Sequence, residues 1–231
     1  MTVYDLYVES GPKHRTTMVH VPALLGCNVT GPTTAEALAA SPEILAAFRR
    51  FLHRHGEDID PDAPFETRVV EHSTRGLMQD LPTDLTPLPD DRVEHALTQL
   101  DWINDALGTW ALAQPPEQLA SKPETGWAAQ RILLHVLGDQ GSYLASAFGS
   151  APGFGPIHRK AERGDIPLDA AIKETVALCR EHVANATPRQ RTGIRQMEHG
   201  PYTLHRALRR MNEHAWEHLA ELSRRPNGPV L

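Results

Sequence analysis

The sequence predicts an α+β fold in which a small α/β module, residues 1–78, precedes a four-helix bundle, residues 90–225. Polar and apolar residues alternate near the N-terminus, which is the pattern of β-strands. In the second part of the chain, apolar residues recur at steps of three and four, which is the pattern of amphipathic helices. Residues 79–89, between the two patterns, are rich in proline and are predicted to form a linker.

Three short strands are predicted at the start of the chain. Residues 3–8 alternate between apolar and polar side chains, and residues 16–21 do so again after a turn at Gly11 and Pro12. These two segments are therefore expected to pair as a hairpin. Residues 27–30 form a third candidate strand.

A helix is expected from Ala35 to about Arg54, because apolar residues keep helical spacing over this range. Thr33 and Thr34 precede it and favour a helix N-terminus. Pro42 is expected to kink this helix or to start a new one within it, because proline lacks an amide hydrogen. Residues 65–71 complete the module as a fourth candidate strand.

Four long helices are predicted after the linker, at about residues 93–111, 127–148, 168–183 and 203–223. Their similar lengths predict a bundle. The intervening segment 149–164 is rich in glycine and proline, and it is predicted to be a long loop, which could gate a cavity or be a passive connection.

Charge and composition argue against several classes of protein. Hydrophobic residues make up 40% and charged residues 23%, as in ordinary globular proteins. With a net charge of −6, the chain is not expected to bind nucleic acid. The densest basic group, Arg206, Arg209 and Arg210, lies near Glu213 and Glu217 and is predicted to form a solvated helix face.

Cysteine usage and the N-terminus predict a soluble cytoplasmic protein without a membrane partner. Cys27 and Cys179 are the only cysteines, so a disulfide framework is not expected. Both are interpreted as structural core residues. The N-terminus lacks the apolar stretch of a signal peptide, and no apolar run reaches membrane-spanning length.

The last predicted helix carries two histidines, His214 and His218, on its apolar side. A spacing of four residues places both imidazoles on one face, where they could bind one ion. The alternative is a pair of core histidines hydrogen-bonded to buried carbonyls. Burying two imidazoles requires compensating partners, which favours metal. The apolar residues of this face are Leu204, Ala207, Leu208, Met211, Ala215, Leu219 and Leu222.

His135 in the second long helix is the candidate third metal ligand. It shares a stripe of small and polar residues with Gly138, Asp139 and Ser142, which suits a cavity wall, although a solvated stripe is the alternative. Three imidazoles with an open position are typical of catalytic sites. Asp139 could be a fourth ligand, a general base or a carboxylate that orients an imidazole, and the last role is favoured. Tyr143 is a further candidate for proton transfer.

Two motifs resemble the DinB-like family of metal-binding four-helix bundles. Trp127 precedes His135 by eight residues and Asp139 by twelve, and residues 208–219 are similar to the final helix of that family. The resemblance covers about residues 90–223. It implies zinc or nickel at His135, His214 and His218, and some members are thiol S-transferases or thiol-dependent isomerases. No thiol-binding residues can be matched in this sequence.

The N-terminal segment resembles the HicB-like antitoxin fold through residues 18–38, and the resemblance covers about residues 1–72. Pro42 departs from the uninterrupted helix of that fold. No DNA-binding helix-turn-helix or ribbon arm accompanies it. The segment is therefore interpreted as a module that packs on the bundle or mediates formation of a homodimer.

Two main functions follow from these observations. The first is a metal-dependent enzyme in which the ion activates a small thiol or water for attack on a small-molecule substrate, as a transferase, hydrolase or isomerase. The second is a metal-containing protein that binds a ligand or responds to stress without catalysis. A third, interaction-only function would rest on the N-terminal module.

Overall fold

The computed structural model describes residues 1–11, 16–76, 80–198 and 200–231, and it has a mixed α+β fold. Part of the predicted turn at Gly11 and Pro12, and the first residue of the predicted linker, lie outside the described residues. The N-terminal part contains strands β1 (Thr2–Ser10), β2 (Thr17–His20), β3 (Asn28–Gly31) and β4 (Phe65–Ser73), with helix α1 (Thr34–Arg54) between β3 and β4.

The four strands form one sheet in the order β3-β2-β1-β4. Strands β1 and β2 pair antiparallel, which confirms the predicted hairpin, whereas β4 runs parallel to β1. Successive side chains of a strand point to opposite faces, so the register separates two sets of residues. Val8, Val19 and Val29 are buried on the face that packs against α1, and Glu9, Met18 and Thr30 are neighbours on the opposite face.

Helix α1 begins and ends as the sequence predicts. The Thr33 hydroxyl accepts a hydrogen bond from the amide of Glu36, which caps the helix. The helix then continues through Pro42 to Arg54, so a fresh start at the proline is not observed. Leu45 and Phe48 are fully buried and join the core beneath the sheet.

Four long helices occupy the second part of the chain: α2 (Asp90–Leu112), α4 (Ala129–Phe148), α6 (Leu168–Ala184) and α8 (Leu204–Ser223). Each contacts two of the others, so that α2, α6, α4 and α8 close a ring around an apolar core. The shorter elements are a 3₁₀ helix at Pro82–Leu85, helices α3 (Pro116–Ala120) and α7 (Pro188–Thr192), and strands β5 (Arg195–Met197) and β6 (Gly200–Tyr202).

The predicted loop at residues 149–164 is wrong, because it contains a further helix, α5 (Phe154–Glu162). Gly149 and Gly153 have φ angles of 92° and 103°, so they form two turns on either side of a short connection. Phe154 is buried against α4, where a Cβ added to Gly141 would lie 2.5 Å from its ring. The glycines and prolines therefore mark the ends of a packed helix.

The second face of the sheet packs against α8 through buried charges. Glu213 contacts Arg209 at 2.8 Å, Arg210 at 2.7 Å and His20 of β2 at 2.9 Å. Arg209 also binds Asp84 at 2.7 Å. We call this group the buried ion cluster; its members are Glu9, His20, Asp84, Arg209, Arg210 and Glu213.

The predicted solvated face at Arg206, Arg209 and Arg210 is therefore wrong. Each of the three residues has only 2% of its surface exposed. Spacings of three and four between opposite charges are typical of an exposed helix face, but here other parts of the chain cover that face. Arg209 contacts His20 of the sheet, and Arg206 donates a hydrogen bond to the carbonyl of Pro201. The connection between β2 and β3 also approaches α8 closely, since a Cβ added to Gly26 would lie 2.8 Å from the Cβ of Asn212.

Buried side chains on both sides of the proline-rich segment belong to one continuous hydrophobic cluster. The division into two modules joined by a linker stays a prediction. Among the residues that the structure describes, none of the helices combines the length and apolar character needed to cross a bilayer.

Candidate metal centre

The three predicted histidines converge at one point between α4 and α8. The Nε2 atom of His214 lies 3.0 Å from Nε2 of His135 and 3.2 Å from Nε2 of His218. His214 is buried, and the other two are partly buried. A tetrahedral zinc ion with Zn–N bonds of about 2.0–2.1 Å holds its nitrogen ligands about 3.3–3.4 Å apart. These two separations are therefore already close to the spacing of metal ligands, and the ligand atoms of the three residues all lie within 4.8 Å of one another.

Hydrogen bonds among the imidazoles do not account for this arrangement. A neutral imidazole has one N–H donor and one acceptor nitrogen. The Nε2 atom of His214 faces two other Nε2 atoms, and it can donate to one or accept from one, but it cannot satisfy both contacts. A cation at the centre would accept all three lone pairs at once. The described contacts thus differ from those of a core histidine bonded to a carbonyl.

Protons do not compete strongly with a metal ion for the imidazole of His214. Burial, followed by the positive potentials of His218, His135 and Arg210, lowers the pKa of His214 to about 2. The imidazole is therefore neutral at physiological pH, and a lone pair is available to an ion.

His218 is oriented by a carboxylate on the side away from the other histidines. Its Nδ1 lies 2.9 Å from Oε2 of Glu221, and Oε1 of Glu221 accepts a hydrogen bond of 2.7 Å from Arg225. The hydrogen bond from His218 holds the pKa of Glu221 below its usual value. With Nδ1 donating to Glu221, the lone pair of Nε2 points toward the other imidazoles. This is the usual way in which a carboxylate fixes the tautomer of a metal-binding histidine.

Glu221→Gln is expected to weaken metal affinity about 10- to 100-fold, because the variant loses the carboxylate charge that fixes the tautomer and orientation of His218. Competition with a chromophoric chelator measures the affinity. Glu217→Gln is the matched control, since Glu217 lies one turn earlier on α8 and accepts its described hydrogen bond from Asn28, not from a histidine. Equal affinities for the two variants would contradict the orienting role.

Asp139 lies beside the histidines, as predicted. Its Oδ2 is 3.6 Å from Nδ1 of His135 and 3.5 Å from Nε2 of His214, and its side chain is about one third exposed. Both distances are longer than a normal hydrogen bond. The carboxylate is nevertheless close enough to exchange protons with a molecule bound at the centre. The role of Asp139 stays a prediction.

Tyr143 is also placed at the centre, on the wall below His214. The centroids of the two rings are 5.9 Å apart, and the guanidinium of Arg210 lies 5.9 Å from the Tyr143 ring. Burial raises the pKa of Tyr143, so the phenol is protonated at neutral pH. It can donate a hydrogen bond but is not a base under these conditions.

A pocket of about 740 Å³ opens onto the three histidines. This volume lies within the range of small-molecule sites. One wall includes Ile132 and Tyr143 of α4 and Trp127, which lies just before that helix. The other wall comes from the sheet and includes Met18 and Thr30.

Several residues at the metal centre and in its pocket were not predicted as site residues from the sequence. Glu221 follows His218 by three residues, and this spacing could have indicated it. Trp127 appeared only as part of a motif, whereas its ring packs edge-on against His135 at 5.3 Å. No local pattern indicated Met18 or Thr30. Cys27 and Cys179 are buried and unpaired, as interpreted, and burial raises the pKa of each thiol.

No protein-family model, curated protein or solved structure matches this chain.

Proposed function

We propose that this chain is a metal-dependent enzyme that binds one divalent ion through His135, His214 and His218 and activates a small thiol or water. The observation that supports this most strongly is the convergence of three Nε2 atoms. Nε2 of His214 lies 3.0 Å from that of His135 and 3.2 Å from that of His218. The same residues form the only group of three or more potential ligands found among the described residues.

The donor set favours zinc or nickel. Imidazole nitrogens suit these ions, whereas magnesium and calcium prefer oxygen ligands. The proposed DinB-like bundle agrees with this choice, since Trp127, His135 and Asp139, which carry the first motif, all line the pocket. We also propose that the N-terminal part is a HicB-like module and that the protein acts in the cytoplasm, where thiols such as Cys27 stay reduced.

A divalent ion at this position would hold a bound thiol or water as thiolate or hydroxide near neutral pH. Two side chains of the protein would then contribute to catalysis. Asp139, whose Oδ2 lies 3.5 Å from Nε2 of His214, would accept the proton released by the thiol or water. Tyr143, a phenol at neutral pH, is placed to donate a hydrogen bond to negative charge that develops on the substrate.

The open pocket favours a catalytic ion over a closed structural metal site, which would surround the ion with four protein ligands. Reaction classes that fit are transfer to a thiol, isomerisation through a thiol adduct, and hydrolysis. Each needs an electrophilic small molecule beside the ion, and the volume of about 740 Å³ allows one.

Metal content tests the proposal. Protein purified without a histidine tag is expected to contain about one equivalent of zinc or nickel by mass spectrometry, and His135→Ala and His214→Ala are expected to lose it. His205→Ala is the control, because His205 lies on the same helix but bonds the carbonyl of Thr86, outside the centre. Wild-type protein that contains no metal and takes up neither zinc nor nickel would overturn the proposal.

A further inference from the structure

The wall opposite the histidines is built by the N-terminal sheet. Thr16, Met18, Thr30, Gly31 and Pro32 line the pocket together with the metal-centre residues of α4 and α8. Met18 and Thr30 are direct partners in the β2–β3 ladder, so their side chains lie on the same face of the sheet. A molecule that enters the pocket and reaches the histidines therefore lies between the two parts of the chain.

The buried ion cluster fixes the position of this wall. His20 lies two residues after Met18 on the same strand face, and it contacts Glu213 at 2.9 Å. Asn28, the partner of His20 in β3, donates a hydrogen bond of 3.3 Å to Glu217. These contacts attach the sheet to α8 immediately beside His214 and His218. The wall is therefore held by one buried contact, His20 to Glu213, and one partly buried contact, Asn28 to Glu217.

The pocket lining combines two kinds of chemistry. The three imidazoles and the carboxylate of Asp139 supply polar groups. Met18 and Pro32 on the sheet side and Trp127 and Ile132 on the helical side supply apolar surface. The charged groups nearby are largely paired: Glu221 with His218 and Arg225, and Arg210 with Glu213.

We propose that the N-terminal sheet is the specificity element of the metal centre and selects small molecules with an anionic metal-binding head and an apolar body. The head would reach the ion, and the body would pack between Met18 and Trp127. This inference rests on the proposed function, because it needs an ion at the three histidines. It extends that function by assigning the substrate class and by giving the sheet a direct role at the site.

Two hydroxamates with the same metal-binding head test the inference on the full-length, zinc-loaded protein. Acetohydroxamate carries only a methyl group, whereas benzohydroxamate adds an apolar ring. Calorimetry is expected to show that wild type prefers benzohydroxamate by about tenfold or more, which corresponds to burial of roughly two methylene equivalents. Met18→Ala is expected to lose most of this preference while its affinity for acetohydroxamate stays unchanged.

Thr30→Phe supplies a second, independent variant, since Thr30 is partly exposed and phenylalanine is favourable in strands. Its ring is expected to fill the space for the apolar body, so benzohydroxamate binding falls about tenfold and acetohydroxamate binding does not. Met197→Ala is the matched methionine control; Met197 lies on β5 and does not line the pocket. It is expected to behave as wild type.

The outcomes separate the two proposals. If wild type takes up neither zinc nor nickel, the proposed function fails, and this inference fails with it. Two results would leave the metal centre intact and refute the role of the sheet. In the first, wild type binds zinc and acetohydroxamate normally but shows no preference for benzohydroxamate. In the second, the preference for benzohydroxamate survives in Thr30→Phe and in any folded Met18→Ala protein. Loss of preference in Thr30→Phe supports the inference even if Met18→Ala does not fold.

Discussion

Glu213→Gln is expected to lower the free energy of unfolding by about 3–5 kcal/mol, the range found when one partner of a buried ion pair is removed. Glu213 contacts Arg209, Arg210 and His20, and its side chain is only 2% exposed. A neutral amide would leave the positive charge of two buried guanidinium groups without its carboxylate. Because the contacts join β2 to α8, the loss is expected to weaken the attachment of the sheet to the bundle.

Urea denaturation of the metal-free protein measures this effect. Glu217→Gln is the matched control, because Glu217 is only partly buried and its described hydrogen bond is a single one of 3.3 Å from Asn28. We expect this control to change the free energy of unfolding by about 1 kcal/mol or less. Equal, small losses in the two variants would contradict a stabilising role for the buried ion cluster.

The pKa of Glu213 predicts how the stabilities of wild type and Glu213→Gln depend on pH. Burial alone would raise that pKa, but Arg209, His20 and Arg210 more than offset burial and hold it well below the usual value of 4.5. As the pH falls below 4.5, the unfolded chain binds a proton that the folded protein does not, so stability declines. Wild type is therefore expected to lose more stability than Glu213→Gln on acidification, and the two free energies should converge.

Metal is expected to stabilise the wild-type protein by about 2.7 kcal/mol when free zinc or nickel is 100 times the dissociation constant. His135 and His214 are 79 residues apart in the chain, and folding brings their Nε2 atoms to 3.0 Å. The unfolded chain lacks this set of ligands, so an ion binds mainly the folded state. Because the gain follows from linkage, it should rise with metal concentration at constant protein concentration.

Thermal and urea unfolding at several metal concentrations test this linkage. His214→Ala is expected to show little or no stabilisation, whereas His205→Ala is expected to respond as wild type does. The comparison is needed because the chain has 13 histidines, and some could bind metal outside the centre. Equal stabilisation of His214→Ala and wild type would place the bound metal elsewhere and contradict the assignment of the ligands.

Local patterns determined much of the candidate site. The three- and four-residue spacing of apolar positions placed α8 correctly and put His214 and His218 on one face, because the geometry of a helix depends only on neighbouring residues. The small and polar stripe on α4 indicated His135 in the same way. The convergence of all three Nε2 atoms agrees with these predictions. Metal binding and catalysis at this site stay predictions.

Short-range patterns also misled in two places. Glycines and prolines between residues 149 and 164 indicated a loop, but packing of Phe154 on Gly141 stabilises helix α5 there. The arginines of α8 indicated a solvated face, but Arg209 and Arg210 are buried. In both cases contacts beyond the reach of a local pattern decide the structure: Phe154 lies 13 residues from Gly141, and Arg209 lies 125 residues from Asp84.

The sequence by itself thus determined the α+β class, the order of the main elements and the faces on which the three histidines lie, because periodicity is a local property of the chain. Only the tertiary structure decided which faces are covered. Contacts such as His20 to Glu213 join residues 193 positions apart, and no local pattern encodes them. The sheet therefore turns a charged helix face into a buried ion cluster and supplies the second wall of the pocket at the three histidines, since burial depends on what the folded chain brings together.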